Sequence, residues 1–434
     1  MSSIVWIRND LRFLDNPALF EAVCLGQPVV LVYILENEKI GSASRFWLER
    51  SLLDFGKRAK KRGFGWVIRK GHPQKVLQAL QLETRANHVF WNQKIVGEDF
   101  KIQKALETKG IKAHTYAPNL LVEPHIVLNK QGKPYRLFTP FWNVLKTLEF
   151  KTLPEAFPKI SWKNTLRSSA LTLSSKKHEG LNHWLPGEDG AHALLSSFCT
   201  KHLKYYQKRR DIPEPCVTSM LSPHLHFGEI SVRYIWKKIA SKKPSEVFLR
   251  QLCWRDFTHA ILYHFPHVAH GPFREKHIAW RKNKKELLAW QQGMTGIPIV
   301  DAGMRQLLET GWMHNRVRMI VASFLVKHLL HNWKEGEAWF WDNLFDADLA
   351  NNSFGWQWIA DCGPDSNPWY RIFNPVLQGE KFDPQGNYVR KYIPELKETP
   401  NKYIHKPWEA SKKGEYPDPI VDLQHGRERA LASD

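Results

Sequence analysis

Cysteine is scarce in this chain of 434 residues: Cys24, Cys199, Cys216, Cys253 and Cys362 are far apart and odd in number. No Cys-x-x-Cys pair occurs and no histidines lie near the cysteines at zinc spacing, so neither a disulfide framework nor a structural zinc centre is expected. Long apolar runs are missing as well, which argues against a membrane span, and no strongly amphipathic basic helix stands apart from the rest. The first residues, Met1 to Asp10, turn charged after a very short apolar stretch and cannot act as a secretory signal; a reducing, cytoplasmic setting is the expectation. Internal repeats and low-complexity tracts are absent. Acidic residues are in the minority, 43 against 63 Lys plus Arg, for a formal charge of +20. Such a surplus points to a polyanionic partner, with nucleic acid ahead of an anionic membrane surface.

What is present begins with short β-rich runs at Ile4 to Ile7, Val29 to Leu35, Trp66 to Arg69, His88 to Asn92 and Lys112 to Tyr116. Between them Phe46 to Lys61, Pro73 to Leu82 and Glu98 to Lys109 suit helices. Strands alternating with helices predict a doubly wound parallel α/β sheet, which holds ligands at the carboxyl ends of its strands. The first strand runs into Arg8-Asn9-Asp10-Leu11-Arg12 instead of a glycine fingerprint, so a standard nicotinamide site is not expected there. Turn chemistry at Gln131-Gly132-Lys133-Pro134 and a Ser/Lys-rich stretch through Lys177 mark an interdomain connection. Beyond Ala191 the spacing becomes helical, clearest at Val317, Ile320, Val321, Phe324, Leu325 and Leu329. The expected division is an α/β domain over 1–125, a connection over 126–190 and an all-helical domain over 191–434.

Nineteen tryptophans are more than ordinary core packing needs. Several surround two polar clusters, Asn315-Arg316-Val317-Arg318-Met319 and Asp346 to Asn352. Asn315 and Met319, four residues apart on a helix, share a face distinct from the apolar stripe. Thr218-Ser219-Met220-Leu221-Ser222-Pro223 offers hydroxyls ahead of a helix start, with Ser222 suited to the N-cap and Pro223 to the first turn. Hydroxyls and free backbone N–H groups in such a place can hold a pyrophosphate. Asp346, Asp348 and Asn352 suit a solvated loop and cap, and as buried carboxylates the two aspartates would be costly without partners. His328 and His331 have helical spacing for a metal but no convergent carboxylate or cysteine, so they read as surface or core histidines and no metal site is expected.

Three motifs together, Gly311 to Met319, Asp346 to Trp358 and Trp369-Tyr370-Arg371-Ile372-Phe373-Asn374-Pro375, resemble the DNA photolyase and cryptochrome family. The likeness extends from Trp6-Ile7-Arg8-Asn9-Asp10-Leu11-Arg12 to Trp408 and is greatest for the class I photolyases of cyclobutane pyrimidine dimers. It implies an α/β antenna domain and a helical domain holding FAD in a bent shape. In the implied reaction, photoexcited reduced flavin gives an electron to the dimer, the ring opens and the electron returns, with no net redox change. The cofactor carries this chemistry while the protein supplies orientation and electrostatics.

The same resemblance implies the site residues. Tyr206 and Thr218, Ser219, Met220, Leu221 and Ser222 would hold the FAD phosphates, and Arg255, Arg318, Asp346 and Asp348 the flavin surroundings, with Asn352 near flavin N5. Trp356, Trp333 and Trp280 would pass electrons from the surface to oxidised flavin. Trp254 and Trp358 would wall the damaged bases; in one helix Trp356 and Trp358 lie roughly 200° apart, so each can serve its own task. Asn315, Arg316 and Met319 would contact the lesion or its phosphate, with Arg371 and Gln378 on the DNA rim. A dimer already distorts its duplex, which lowers the cost of flipping it out.

Gln251 departs from the pattern, standing where dimer photolyases carry a glutamate and resembling (6-4) photolyases and animal cryptochromes. His314-Asn315 and Met319, in turn, replace the histidines of the (6-4) class. The alternative is a cryptochrome-type blue-light photoreceptor with weak or no repair. The antenna pocket matches at Glu98 but not at Gly97, Ala269 or His270, leaving methenyltetrahydrofolate, 8-hydroxy-5-deazaflavin or an empty pocket open. The expected protein is a monomer whose partner is DNA containing pyrimidine dimers, bound with steep salt dependence.

Overall fold

Strand β1 (Ser2–Ile7) is buried along its whole length, the condition for the middle of a parallel sheet covered on both faces. It pairs in parallel with β2 (Val29–Leu35) and β4 (Ala86–Asn92), while β3 (Gly65–Lys70) and β5 (Lys112–Tyr116) complete the order β3-β2-β1-β4-β5. The computed structural model describes residues 2–36, 40–154, 161–162, 166–169, 179–366, 372–410 and 414–433. One face of the sheet packs on Trp47, Leu52 and Phe55, the other on Leu77, Leu80, Ile102 and Leu106. These come from the helices Ser42–Lys61, Pro73–Thr84 and Asp99–Glu107, so the helices expected from periodicity form with shifted ends.

Strand order reverses beside β1, the place where sheets of this kind usually open a ligand crevice. Here the protein fills it. Arg8 reaches Asp99 at 2.9 Å and the Asn92 carbonyl, and Asp10 accepts from the Asn92 amide. Buried charges this well paired occupy the switch point itself, beside which a cavity of about 160 Å³ bordered by Arg8, Tyr33, Leu35 and Lys94 remains.

The helix Phe138–Leu145 falls in the stretch expected to be a loose connection, yet Phe138, Phe141 and Trp142 pack into the core around the long helix Glu246–His264. Phe141 meets Phe257 at 5.3 Å between ring centres. The Ser/Lys-rich stretch over 170–178 lies outside the described residues. A second helical core gathers the predicted stripe, all buried from Val317 to Leu329, on the helix Asn315–Ser323 and the wider turn Phe324–His328. His328 and His331 belong to this interior, His331 bonding Glu335 at 2.9 Å.

The α/β and helical parts meet at Trp47. Its indole donates to Glu229 at 3.0 Å, and Ser51 and His224 satisfy the remaining acceptor sites of that buried carboxylate. Gly228, at φ +64°, brings its Cα against the backbone of Asn9. No described helix is long and apolar enough to cross a membrane.

Candidate functional site

Asp348 caps the helix Leu349–Ile359, accepting from Asn351 N at 2.9 Å and Asn351 Nδ2 at 2.7 Å through one oxygen. Its other oxygen faces His259 at 3.4 Å and His226 at 3.8 Å. Burial pushes this carboxyl up, but His259 first and then His226, both beside it, outweigh that and hold it well below the usual carboxylate range. Two residues earlier, Asp346 is clasped by Arg318 through paired bonds of 3.0 and 2.8 Å, the planar fork matching the carboxylate. Arg318 also donates to the Met313 carbonyl at 2.7 Å, which locks its fork in place.

These groups border two adjoining cavities of about 330 and 520 Å³, within the range of ligand sites. Gln251, Trp254, Asn315, Arg318, Asp346 and Asp348 line both. Tyr206, Thr218 to Ser222 and Arg255 line the smaller one. Met319, Asn352, Trp356 and Trp358 line the larger. Met220 at φ +54° turns the chain so that the hydroxyl-bearing loop borders the cavity. Ser222 is not the N-cap expected of it: the helix Ser222–His226 starts one residue sooner, with Leu221 at the cap. Its hydroxyl instead accepts from the Trp312 indole at 3.2 Å, a buried donor that needs an acceptor.

Trp254 lies flat on Phe138, 3.7 Å between centres and 8° from parallel, which fixes its plane. Asn315 Nδ2 and Met319 Sδ, 3.8 Å apart, share the expected helix face. Gln251 donates its amide to Val247 O at 3.3 Å, leaving its oxygen to serve as an acceptor. Asn352 donates to Glu337 O at 3.0 Å.

Trp356 and Trp333 are buried in one apolar cluster, and Trp280 packs against it. Gly336, on the helix that Trp333 begins, makes room for Trp356; a Cβ there would come within 2.1 Å of the indole. The angular separation of Trp356 and Trp358 does not divide them cleanly, since both border the larger cavity.

Arg316 lies outside both linings, paired with Asp211 at 3.1 Å and stacked over Phe382 at 4.5 Å. Gln378, on the helix Pro375–Phe382, is likewise outside them. Arg371 is outside the described residues. Glu98, expected near an antenna, bonds Lys101 at 2.9 Å and faces His72 at 3.8 Å. Ala269 ends the short turn Pro266–Ala269, followed by His270.

The family models match on this arrangement: residues 3–160 to DNA photolyase and 248–433 to the FAD binding domain of DNA photolyase. This chain belongs to the DNA photolyase family. The deoxyribodipyrimidine photo-lyase of Agrobacterium fabrum is 43% identical, covering 99% of this chain and 97% of that protein. Arabidopsis thaliana cryptochrome-2 is 35% identical, over 98% of this chain and 77% of its own length. A crystal structure from Agrobacterium tumefaciens described as a bacterial class III photolyase superposes with a TM-score of 0.96 at 42% identity, covering 100% of this chain and 96% of that one. The comparisons support the photolyase family without supporting the class I expectation.

The cofactor of the family's C-terminal domain is FAD, and the residues here fit it. Gly355 borders the larger cavity with nothing within 4 Å of where its Cβ would stand, leaving open space against the helix for a flat ring. Arg255, Arg318 and the loop hydroxyls supply cationic and donor groups for an anionic ligand beside it. Asn351, His226 and His259 were missed in the sequence reading. Asn351 stands inside the very Asp346 to Asn352 cluster, and His226 follows the hydroxyl loop by four residues, so both signals were at hand; nothing local marks His259.

His314 caps the helix that carries Asn315, Arg318 and Met319, its Nδ1 accepting from Arg316 N at 3.2 Å. Burial lowers its pKa to about 4. His328, on the same run, is lowered to about 4 by burial and the charge of Arg429. Unfolded histidines titrate near 6.5, so between about pH 6.5 and 4 the unfolded chain binds protons the native one refuses, and stability falls as pH falls. The loss is on the order of 3 kcal/mol per histidine at pH 4, with none above about pH 7. Denaturant titrations of wild type and His314→Asn, which keeps a capping acceptor, should show a flatter acid limb in the variant; parallel limbs would refute the assignment.

Proposed function

We propose that this protein repairs cyclobutane pyrimidine dimers in DNA under blue light, with FAD seated across the two joined cavities. The observation that carries this reading is the joining itself: a cavity that reaches Trp358 and Met319 and one that reaches Tyr206 and the loop from Thr218 to Ser222 share Trp254, Asp346, Asp348 and Arg318 in their walls. In this reading residues 1–125 form the antenna domain, 126–190 the connection and 191–434 the flavin domain.

When bound, reduced FAD excited by light supplies the electron that opens the cyclobutane ring and takes it back. The chain's own residues do the rest. Trp254, held flat by Phe138, and Trp358, tied to the Asp365 carbonyl at 3.2 Å, offer aromatic walls that compensate a flipped-out dimer for lost stacking. Asn315 and Met319 hold one edge of the lesion, and Gln251 presents its oxygen to a pyrimidine N–H. Tyr206 and Thr218 to Ser222 would hold the phosphates of FAD, Arg255, Asp348 and Asn352 would orient it, and Trp356, Trp333 and Trp280 would form the indole series leading from it toward the surface. Phe340, Leu344 and Ile359 give the larger cavity an apolar stretch of wall.

A second reading, a blue-light photoreceptor with weak repair, draws on Gln251, because an amide cannot share a proton with the reduced lesion as a carboxylic acid can. One experiment weighs both. Reduced, illuminated protein is given an oligothymidine bearing dimers, with a dark control and a Gln251→Glu variant alongside. Light-dependent loss of dimers is expected in wild type, with a gain of roughly tenfold or less in the variant, below the usual range for a placed acid. Intact FAD with unchanged dimers in both proteins would leave the photoreceptor reading standing.

A further inference from the structure

Three helices from distant parts of the chain place the two indoles of the larger cavity. Glu246–His264 carries Trp254, Leu349–Ile359 carries Trp358, and Phe138–Leu145 begins with the ring on which Trp254 lies. One residue connects them. Asp365, itself on the wall of the larger cavity, accepts from the Trp358 indole N–H through its backbone carbonyl and from the Phe138 backbone N–H through its carboxylate, each at 3.2 Å. One indole is therefore bonded to Asp365 directly, and the other rests on the residue that Asp365 holds.

The turn that presents Asp365 is fixed to the Trp358 side. Cys362 N and Gly363 N bond the Gln357 carbonyl at 3.1 and 2.9 Å, and a Cβ at Gly363 would come within 2.9 Å of the Trp358 backbone nitrogen, so the turn presses on the end of that helix. Ser366 Oγ closes it by donating to the Gly363 carbonyl at 2.7 Å. Asp365 adopts φ +54°, a left-handed conformation that aspartate, asparagine and glycine accept more readily than other residues. From there its carboxylate reaches the start of Phe138–Leu145, where the cap residue Leu137 makes no side-chain bond and the helix N–H groups need an acceptor. With the Phe138 ring 3.7 Å from Trp254 and 8° from parallel, the plane of Trp254 is registered to the same turn as Trp358. Spacing matters for a flat ligand between such walls, because a gap of about 0.5–1 Å forfeits roughly a quarter to a half of the dispersion attraction.

We infer that Asp365 is a positioning residue that sets the spacing of Trp254 and Trp358, and with it the preference of this protein for a flipped-out lesion over undamaged DNA. The inference rests on the reading that a pyrimidine dimer enters the larger cavity, and its test keeps the two apart. Affinities of the FAD-loaded protein for a dimer-bearing 15-mer and for the same undamaged 15-mer are measured in the dark. The proteins are wild type, Asp365→Asn, Asp365→Gly, Phe138→Leu and the double variant of the last two. Asp365→Asn keeps an oxygen for the Phe138 N–H while removing the acid, so any change in general DNA affinity should affect both oligomers alike and the ratio should stay at the wild-type value. Asp365→Gly keeps the backbone conformation and the carbonyl for Trp358 but loses the acceptor, and its ratio should fall about tenfold, the order of one base–aromatic stack. Phe138→Leu should lower the ratio similarly. The double variant should be no worse than the worse single one, because residues that act through one another are not additive. A wild-type ratio in Asp365→Gly would overturn the inference, leaving Asp365 as a helix cap only. So would a wild-type ratio in Phe138→Leu, or losses that multiply in the double variant, which would mean that Asp365 touches the lesion itself. Wild type without any preference for the dimer would refute the repair reading and the inference with it.

Discussion

Asp346→Ala is expected to give a colourless protein. The carboxylate of Asp346 takes both arms of the Arg318 fork, at 3.0 and 2.8 Å, on the shared wall of the two cavities. Its removal leaves the arginine without its counter-charge and lets the fork swing into the space proposed for the flavin. Breaking such a pair costs on the order of 3 kcal/mol when it is well buried. The Arg318 side chain is 24% exposed, so part of that cost is relieved by water. Cofactor retention is the larger effect: FAD per chain, read from the visible spectrum, should fall at least tenfold, while Asp346→Asn, which preserves shape, should fall less. A yellow Asp346→Ala protein with normal FAD content would show that the cavities hold something else.

Gly228→Ala should rank with the most damaging single methyl additions among the described residues. A Cβ at this position would stand 1.9 Å from the Asn9 carbonyl oxygen and 2.7 Å from Asp10 Cα, backbone atoms that cannot rotate aside. The φ of +64° adds left-handed strain of about 1 kcal/mol. Overpacking adds about 1–3 kcal/mol more, and the shift is felt next door at Glu229, where Trp47, Ser51 and His224 converge. A total loss of about 3 kcal/mol is expected in chemical denaturation. Gly110→Ala separates the two causes, because its φ is +75° and nothing lies within 4 Å of the added carbon. It should cost about 1 kcal/mol. Equal losses at the two positions would mean that the contact between the two parts of the molecule yields more easily than its geometry implies.

The inner strands were legible because a parallel strand covered on both faces must be apolar along its length, and runs such as Val29 to Leu35 say so without help, whereas the edge strand Lys112–Tyr116 is nowhere fully buried and read only from its β-prone residues. Helix ends were less legible: Ser42–Lys61 begins four residues before the first apolar signal at Phe46, where Gly41 and the Asp342 carboxylate hold its start. The helix Phe138–Leu145 escaped because it is short, contains Pro140 and sits amid turn residues; packing against Phe257 stabilises it.

The sequence alone settled the fold class, the basic surface and the two polar clusters, because side-chain period, net charge and contiguous motifs are properties of neighbours along the chain. Tertiary structure alone decided that Asp348 faces two histidines from separate helices, that Phe138 from the connection holds Trp254 flat, and that Ser222 serves Trp312 and not its own helix. It also turned Arg316 toward Asp211 and away from the cavities. These outcomes depend on which surfaces meet when distant segments bury their apolar faces, and no local pattern records that meeting.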